Sequence, residues 1–258
     1  MKHCMMIGAL CFSAIAWAQT PADGPPTGPR LPTGSVDLPP GAGTKVDPKK
    51  LPDLSGVWGR VEGLQHPDQT KIIPFMKPAA AADWQKKIAA KDFYVPWSNC
   101  EPTAFPAMLT EMGLPFEILM TPGRLTMIVP DGQVRRIYTD GSTHGEPMLG
   151  GTYFGNATAR WDGETLVVET TDLRADNNVV MGLKAGTDAM KVVERLRLIS
   201  KDKLQDDITI TGLDYLQKPY QVTQVFQRYP QVRLSEFVCL ASKNRNTGDK
   251  VDLTPPPL

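Results

Sequence analysis

The feature that most constrains this chain is a long series of short apolar or alternating segments cut by turn signals. From Leu114 onward, "FEILM" stops at "TPG", "RLTMIV" at "PDG", "QVRRIYT" at "DGS" and "YFGNATARW" at "DGE". "TLVVETT", "VVERLRLI", "LQDDITITGL", "YQVTQVFQRY" and "VRLSEFVCL" continue the pattern, and "SGVWGRVEG" precedes it near residue 56. Runs of this length between Gly, Asp and Pro clusters read as β-strands joined by hairpins, about ten in all. No strand–helix–strand alternation occurs, so a parallel sheet is not expected. Many sequential hairpins leave two edge strands unpaired unless the sheet closes, which favours an antiparallel barrel over a sandwich.

One helix interrupts this texture. Between Lys77 and Lys91, Pro78 suits a first helical turn and "AAAADWQKKIAAK" consists of good helix formers. The aromatic, proline-broken "FYVPWSNCEPTAFPAM" that follows reads as a packed irregular loop anchored by Cys100.

The two ends look different again. The first residues carry a basic start (Lys2, His3), an apolar stretch from Met5 to Ala16 and the small-x-small triplet Ala16-Trp17-Ala18. That is the pattern of a signal peptide over 1–18, cleaved after Ala18. A lipoprotein alternative would use Cys11, but Gly8-Ala9-Leu10 lacks the aliphatic residue expected three positions before the cysteine. Residues 19–52 are dominated by Pro and Gly and bury too little to offset their ordering entropy, so they are expected to form a disordered arm. The barrel domain is assigned to 53–245 and a loose tail to 246–258. No later segment approaches the ~20 consecutive apolar residues of a transmembrane helix. The expected location is the periplasm or the exterior. There, Cys100 and Cys239, the cysteines left after cleavage, are expected to pair; closing so long a loop contributes about 4–5 kcal/mol in the chain-entropy argument. A net charge of zero and a pI near 6.8 disfavour nucleic acid and anionic membranes as partners.

"DLSGVWGR", with Gly56 and Trp58, resembles the Gly-x-Trp opening strand of lipocalin-like (calycin-type) barrels. A larger resemblance covers most of the mature chain. "DLSGVW", "PFEI…TPGR", "RRIYTDG…H", "RWDGETLVVET", "VVERLRL" and a late "C…NR" stand at 53–58, 115–124, 135–144, 160–170, 192–198 and 239–245. Together they are similar to a group of exported bacterial proteins. The resemblance implies a calycin-type barrel in which Trp58 plugs one end, and it implies export; it implies no particular activity. The chain departs from the group in "DGSTHGEP" and "CLASKNR", both near the expected site.

Strand alternation sorts the candidate polar residues. In "QVRRIYTD", Val134, Arg136, Tyr138 and Asp140 share one face, while Arg135 and Ile137 share the other. One arginine is therefore expected to point inward, and it needs an acidic partner there. Glu194, on the Val192/Leu196/Leu198 face, is an expected inward carboxylate; Glu117 in "PFEILM" is a second, and Glu169 a weaker third. Arg136, Tyr138, Glu117 and Trp58 are the candidate ligand-binding residues. His144 follows a turn and could be oriented by Asp140, the arrangement of a general base near neutral pH. His144, Asp140 and Glu194 are therefore the candidate catalytic residues, and His66 lies in a polar loop with less to recommend it.

No His-x-His, His-Glu-x-x-His or close cysteine pair is present, so no metal site is expected. Gly-x-Gly-x-x-Gly, phosphate-loop and Gly-x-Ser-x-Gly patterns are also missing, and no cofactor is expected. Two functions follow as expectations. The first is an interior that binds a hydrophobic or aromatic small molecule. The second is cofactor-independent isomerase or lyase chemistry by a His144–Asp140 pair in the barrel mouth. An envelope-associated structural protein tethered by its Pro-rich arm is a third.

Overall fold

The computed structural model describes residues 41–43, 48–61, 68–92, 100–110, 113–144, 150–236 and 238. Signal peptide, most of the arm, His66, Cys239 and the C-terminal tail lie outside the described residues. From the arm, 41–43 form a turn and Pro48–Lys50 a single 3₁₀ turn.

Nine strands close into a barrel. They are β1 (Gly56–Arg60), β2 (Phe116–Thr121), β3 (Arg124–Ile128), β4 (Val134–Tyr138), β5 (Asn156–Asp162), β6 (Thr165–Thr171), β9 (Lys191–Ser200), β10 (Lys203–Thr211) and β11 (Tyr220–Arg228). Around the ring their order is β1-β11-β10-β9-β6-β5-β4-β3-β2, and β2 returns to β1. Outside the ring, β7 (Asn178–Val180) and β8 (Leu183–Lys184) pair in a small hairpin that the sequence reading did not anticipate. Conversely, no strand forms over 232–236, where "VRLSEFVCL" suggested one.

The expected mainly β barrel is present, with one departure from pure antiparallel pairing: β4 and β5 run parallel through Ile137↔Ala157 and Tyr138↔Thr158. Parity requires a departure of this kind. Antiparallel neighbours alternate in direction, and an odd number of strands cannot alternate all the way around a closed ring. The departure falls between β4 and β5; at its far side Thr152 exchanges backbone hydrogen bonds with Asp172 and Arg174, just past β6. At Gly155 (φ +67°) a Cβ would stand 2.4 Å from the Thr171 carbonyl oxygen, so only glycine fits there.

The helix α1 (Pro78–Ala90) begins at Pro78 as expected, is capped by Lys77 in extended conformation, and ends at Lys91 in the left-handed region. It buries Trp84, whose indole N–H donates to the Gln69 carbonyl at 3.0 Å. A second short helix, α2 (Ala107–Thr110), lies within the segment expected to be irregular; all four of its residues are buried. Among the described residues no helix is long and apolar enough to cross a membrane.

Period-2 alternation sets the core. Phe116 and Ile118, Leu125 and Met127, Leu166 and Val168, Val192 and Leu196, Leu204 and Ile208, and Tyr220 and Phe226 are all buried. Phe116 and Phe226 meet edge to face at 4.9 Å. Trp58, the middle residue of β1, is fully buried, donates its indole N–H to the Leu54 carbonyl at 2.9 Å, and carries the Arg228 guanidinium 4.5 Å above its ring. Arg228 in turn donates to the Ser55 and Asp53 carbonyls, tying β11 to the segment leading into β1.

Candidate functional site

The same alternation that buries apolar side chains also carries charged groups inward. On β4, Arg135 and Ile137 are buried, whereas Arg136 and Tyr138 are exposed. Register with β3 decides this: Arg135 stands opposite the buried Met127, and Arg136 opposite Thr126. The expectation that Arg136 and Tyr138 line the interior is therefore corrected; the inward arginine is Arg135. Glu117 is also on the outer face, because Phe116 and Ile118 take the inner positions of β2. Trp58 is interior as expected.

Glu194 is inward and fully buried, and it is the partner of Arg135. The guanidinium donates two hydrogen bonds to its carboxylate, at 2.8 Å to Oε1 and 2.5 Å to Oε2, and a third to Thr170 Oγ1 at 2.9 Å. This is the paired, planar geometry that makes an arginine–carboxylate contact strong. The Phe105 ring lies 3.8 Å from the guanidinium carbon, on its open face. Phe105 comes not from a strand but from the loop before α2. Its backbone is held by Tyr153 and by Asn177, whose amide donates to the Phe105 carbonyl at 3.0 Å.

A third ionisable group joins this pair. Asp206 on β10 is fully buried. Burial holds its carboxyl well above the ordinary carboxylate range, and the negative charge of Glu194 pushes it further, against the pull of Arg135. The Asp206 carboxyl lies within hydrogen-bond reach of the Glu194 carboxylate, which also favours its protonated form, and the Nε–H of Arg135 lacks an acceptor. Next to Asp206 in register stands Gln224 of β11. Its amide donates to the Thr110 carbonyl at 3.2 Å and accepts from Arg60 of β1 at 2.6 Å. Six strands thus contribute one polar side chain each to the interior: Arg60, Gln224, Asp206, Glu194, Thr170 and Arg135.

Asp206, Gln224 and Arg60 were missed in the sequence, although the signal was there. Asp206 shares a strand face with Leu204, Ile208 and Ile210, and Arg60 shares one with Trp58.

His144 lies elsewhere. Its Nε2 is 3.2 Å from Glu169 Oε1, and its ring nitrogens stand 3.4 Å and 3.3 Å from the hydroxyls of Thr158 and Thr171. Glu169 is also bound by Lys191 at 2.6 Å, and this contact, more than His144, holds its carboxyl below the ordinary range. Thr158, Glu169, Thr171 and Lys191 alternate with the buried Ala157, Val168, Thr170 and Val192, so the cluster sits on the outer wall. Asp140 does not orient His144. Its carboxylate accepts the backbone N–H of Ser142 at 3.1 Å and closes the turn. The anticipated His144–Asp140 pair in a barrel mouth is therefore replaced by a His144–Glu169 pair outside the barrel.

Among the described residues no cluster of His, Cys, Asp and Glu is arranged to hold a metal ion. An open groove of about 390 Å³ between the 3₁₀ turn Ile73–Phe75 and α1 is lined by Thr70, Ile73, Pro74, Gln85, Ile88 and Ala89, none of them ionisable. Cys100 is described, but its expected partner Cys239 is not.

The fold and its interior define a closed nine-stranded β-barrel with an ionic core. No protein-family model, no curated protein and no solved structure matches the chain.

Proposed function

We propose that the protein is an exported barrel that binds a small hydrophobic or aromatic molecule in its interior, with Arg135, Glu194 and Asp206 as the polar groups that orient it. The observation that supports this reading is the buried ionic cluster itself. Taking charges out of water costs several kcal/mol per ion, and apolar side chains of equal volume stabilise a core as well or better. A cluster of this kind, with the Nε–H of Arg135 left without an acceptor, is accounted for by a guest molecule that it positions. The stacking of Phe105 on Arg135 is the kind of contact an aromatic ligand makes with such a guanidinium.

The reading includes cleavage after Ala18, residence in the periplasm or medium, membership in the exported group that the sequence resembles, and a Cys100–Cys239 disulfide. Its test is purification of the mature protein from its host, followed by mass spectrometry of small molecules released on denaturation. The wild type is expected to release a bound apolar compound, and the Arg135→Met/Glu194→Met variant, which keeps the volume and loses the charges, to release none. Empty wild-type protein, or equal loading of a folded double variant, would overturn it.

A further inference from the structure

We infer that the guest is an organic anion, a carboxylate on an apolar body, and that Arg60 receives its head group. This rests on the binding reading above and adds the chemical class of the ligand.

Arg60 is nine-tenths buried, with 8% of its surface exposed. Its one hydrogen bond goes to a neutral group, the Gln224 amide oxygen. It takes part in none of the ion pairs among the described residues, whereas Arg135 has Glu194, and Arg228 approaches Asp53 and Asp202. Charge within the barrel does not balance without it. Arg135 and Glu194 cancel, and Asp206 is held towards its neutral form by burial, so among the described residues no acid pairs with Arg60. A buried cation without a counter-charge is costly, and an anion from outside removes that cost.

The geometry suits a carboxylate. A guanidinium has five N–H donors in a planar fork; the contact with Gln224 uses one, and none of its nitrogens is both sealed from solvent and unpartnered, so the fork is open to a ligand arriving from water. Gln224 cannot turn away to adapt, because its amide is also committed to the Thr110 carbonyl. In register, Arg60 stands opposite Phe226, which packs on Phe116. A head group on Arg60 therefore places an apolar body against these two rings.

The test is calorimetric titration of the full mature chain with three probes that share one body: 3-phenylpropanoate, 3-phenylpropan-1-ol and propylbenzene. The carboxylate is expected to bind at least tenfold more tightly than the alcohol. Arg60→Met should abolish that preference, bringing the carboxylate down to the affinity of the alcohol; Arg60→Lys, which keeps the charge but not the fork, should retain part of it. Alcohol or hydrocarbon binding as tightly as the carboxylate would overturn the anion inference and leave the binding reading standing. So would a preference that survives in Arg60→Met, or a crystal structure of the empty protein with Glu62 or Glu111 of the chain on Arg60. If none of the three probes binds the folded wild type, the binding reading fails as well.

Discussion

Replacing Arg135 by methionine removes the cation from a fully buried pair and leaves Glu194 at 0% exposure beside Asp206. A glutamate in that position cannot stay ionised, so it takes up a proton. At pH 7, protonating a carboxyl whose unfolded-chain pKa is about 4.3 costs about 1.36 × 2.7, or ~3.7 kcal/mol. That sets the scale of destabilisation, in line with the roughly 3–5 kcal/mol for breaking a buried pair by removing one partner. The same arithmetic gives a signature. Each unit of pH below 7 lowers the cost by ~1.4 kcal/mol, so at pH 5 the penalty of Arg135→Met falls to about 1 kcal/mol. Adding Glu194→Met removes the orphaned carboxyl and should bring stability back to within about 1 kcal/mol of wild type, or above it. Urea denaturation followed by tryptophan fluorescence at pH 5 and pH 7 measures all of these quantities. A single variant costing less than about 1 kcal/mol at pH 7, a penalty independent of pH, or a double variant as unstable as the sum of the singles would each refute the reasoning.

Asp206 predicts a pH dependence of its own. Its folded-state pKa is raised above the unfolded value of 3.8, so its contribution is fully present below pH ~4 and is lost as pH rises through the folded pKa. Asp206→Asn mimics the neutral acid; wild type should therefore lose stability relative to this variant as pH is raised from 4 to 9 in denaturant titrations, and a constant difference would contradict the assignment. His144→Ala separates carrier from enzyme: with His144 on the outer wall, the amount of co-purifying small molecule should match wild type by mass spectrometry, and accumulation of a new compound in the variant would instead favour acid–base turnover at the His144–Glu169 pair.

The strands were legible because they are bounded by chemistry local to them. "TLVVETT" between "DGE" and Asp172 is β6, residue for residue, and "LQDDITITGL" contains most of β10. The helix was legible for the same reason, since Pro78 and the alanines state its start and substance. What escaped was non-local. The parallel β4–β5 pair has no signature of its own in either strand; it follows from the odd count of strands that close the ring. A one-residue change of register moves every side chain to the opposite face, so the choice between Arg135 and Arg136 was undecidable from β4 alone. The neighbouring hairpin decides it. Pairing Ile128 with Val134 across the "PDG" turn puts Arg135 opposite Met127, and Met127 is the more buried partner.

The interior site shows why chemistry-bearing residues were only partly recognised. Glu194 stood out because its strand face is otherwise apolar, and the same criterion applied to Asp206 would have found the third member of the cluster. Its neighbour Asp207 obscured it: two adjacent acids read as a solvated pair, yet alternation sends one to each side. Asp207 meets Gln205 and Thr223 outside, while Asp206 goes in. His144 shows the opposite case. Its motif was conspicuous, but it follows β4 in a connection and not on a strand, so alternation does not state which side it takes. Contacts with the outward-facing Thr158, Glu169 and Thr171 hold the histidine on the outer surface, and the interior is left to the arginines and acids that alternation turned inward.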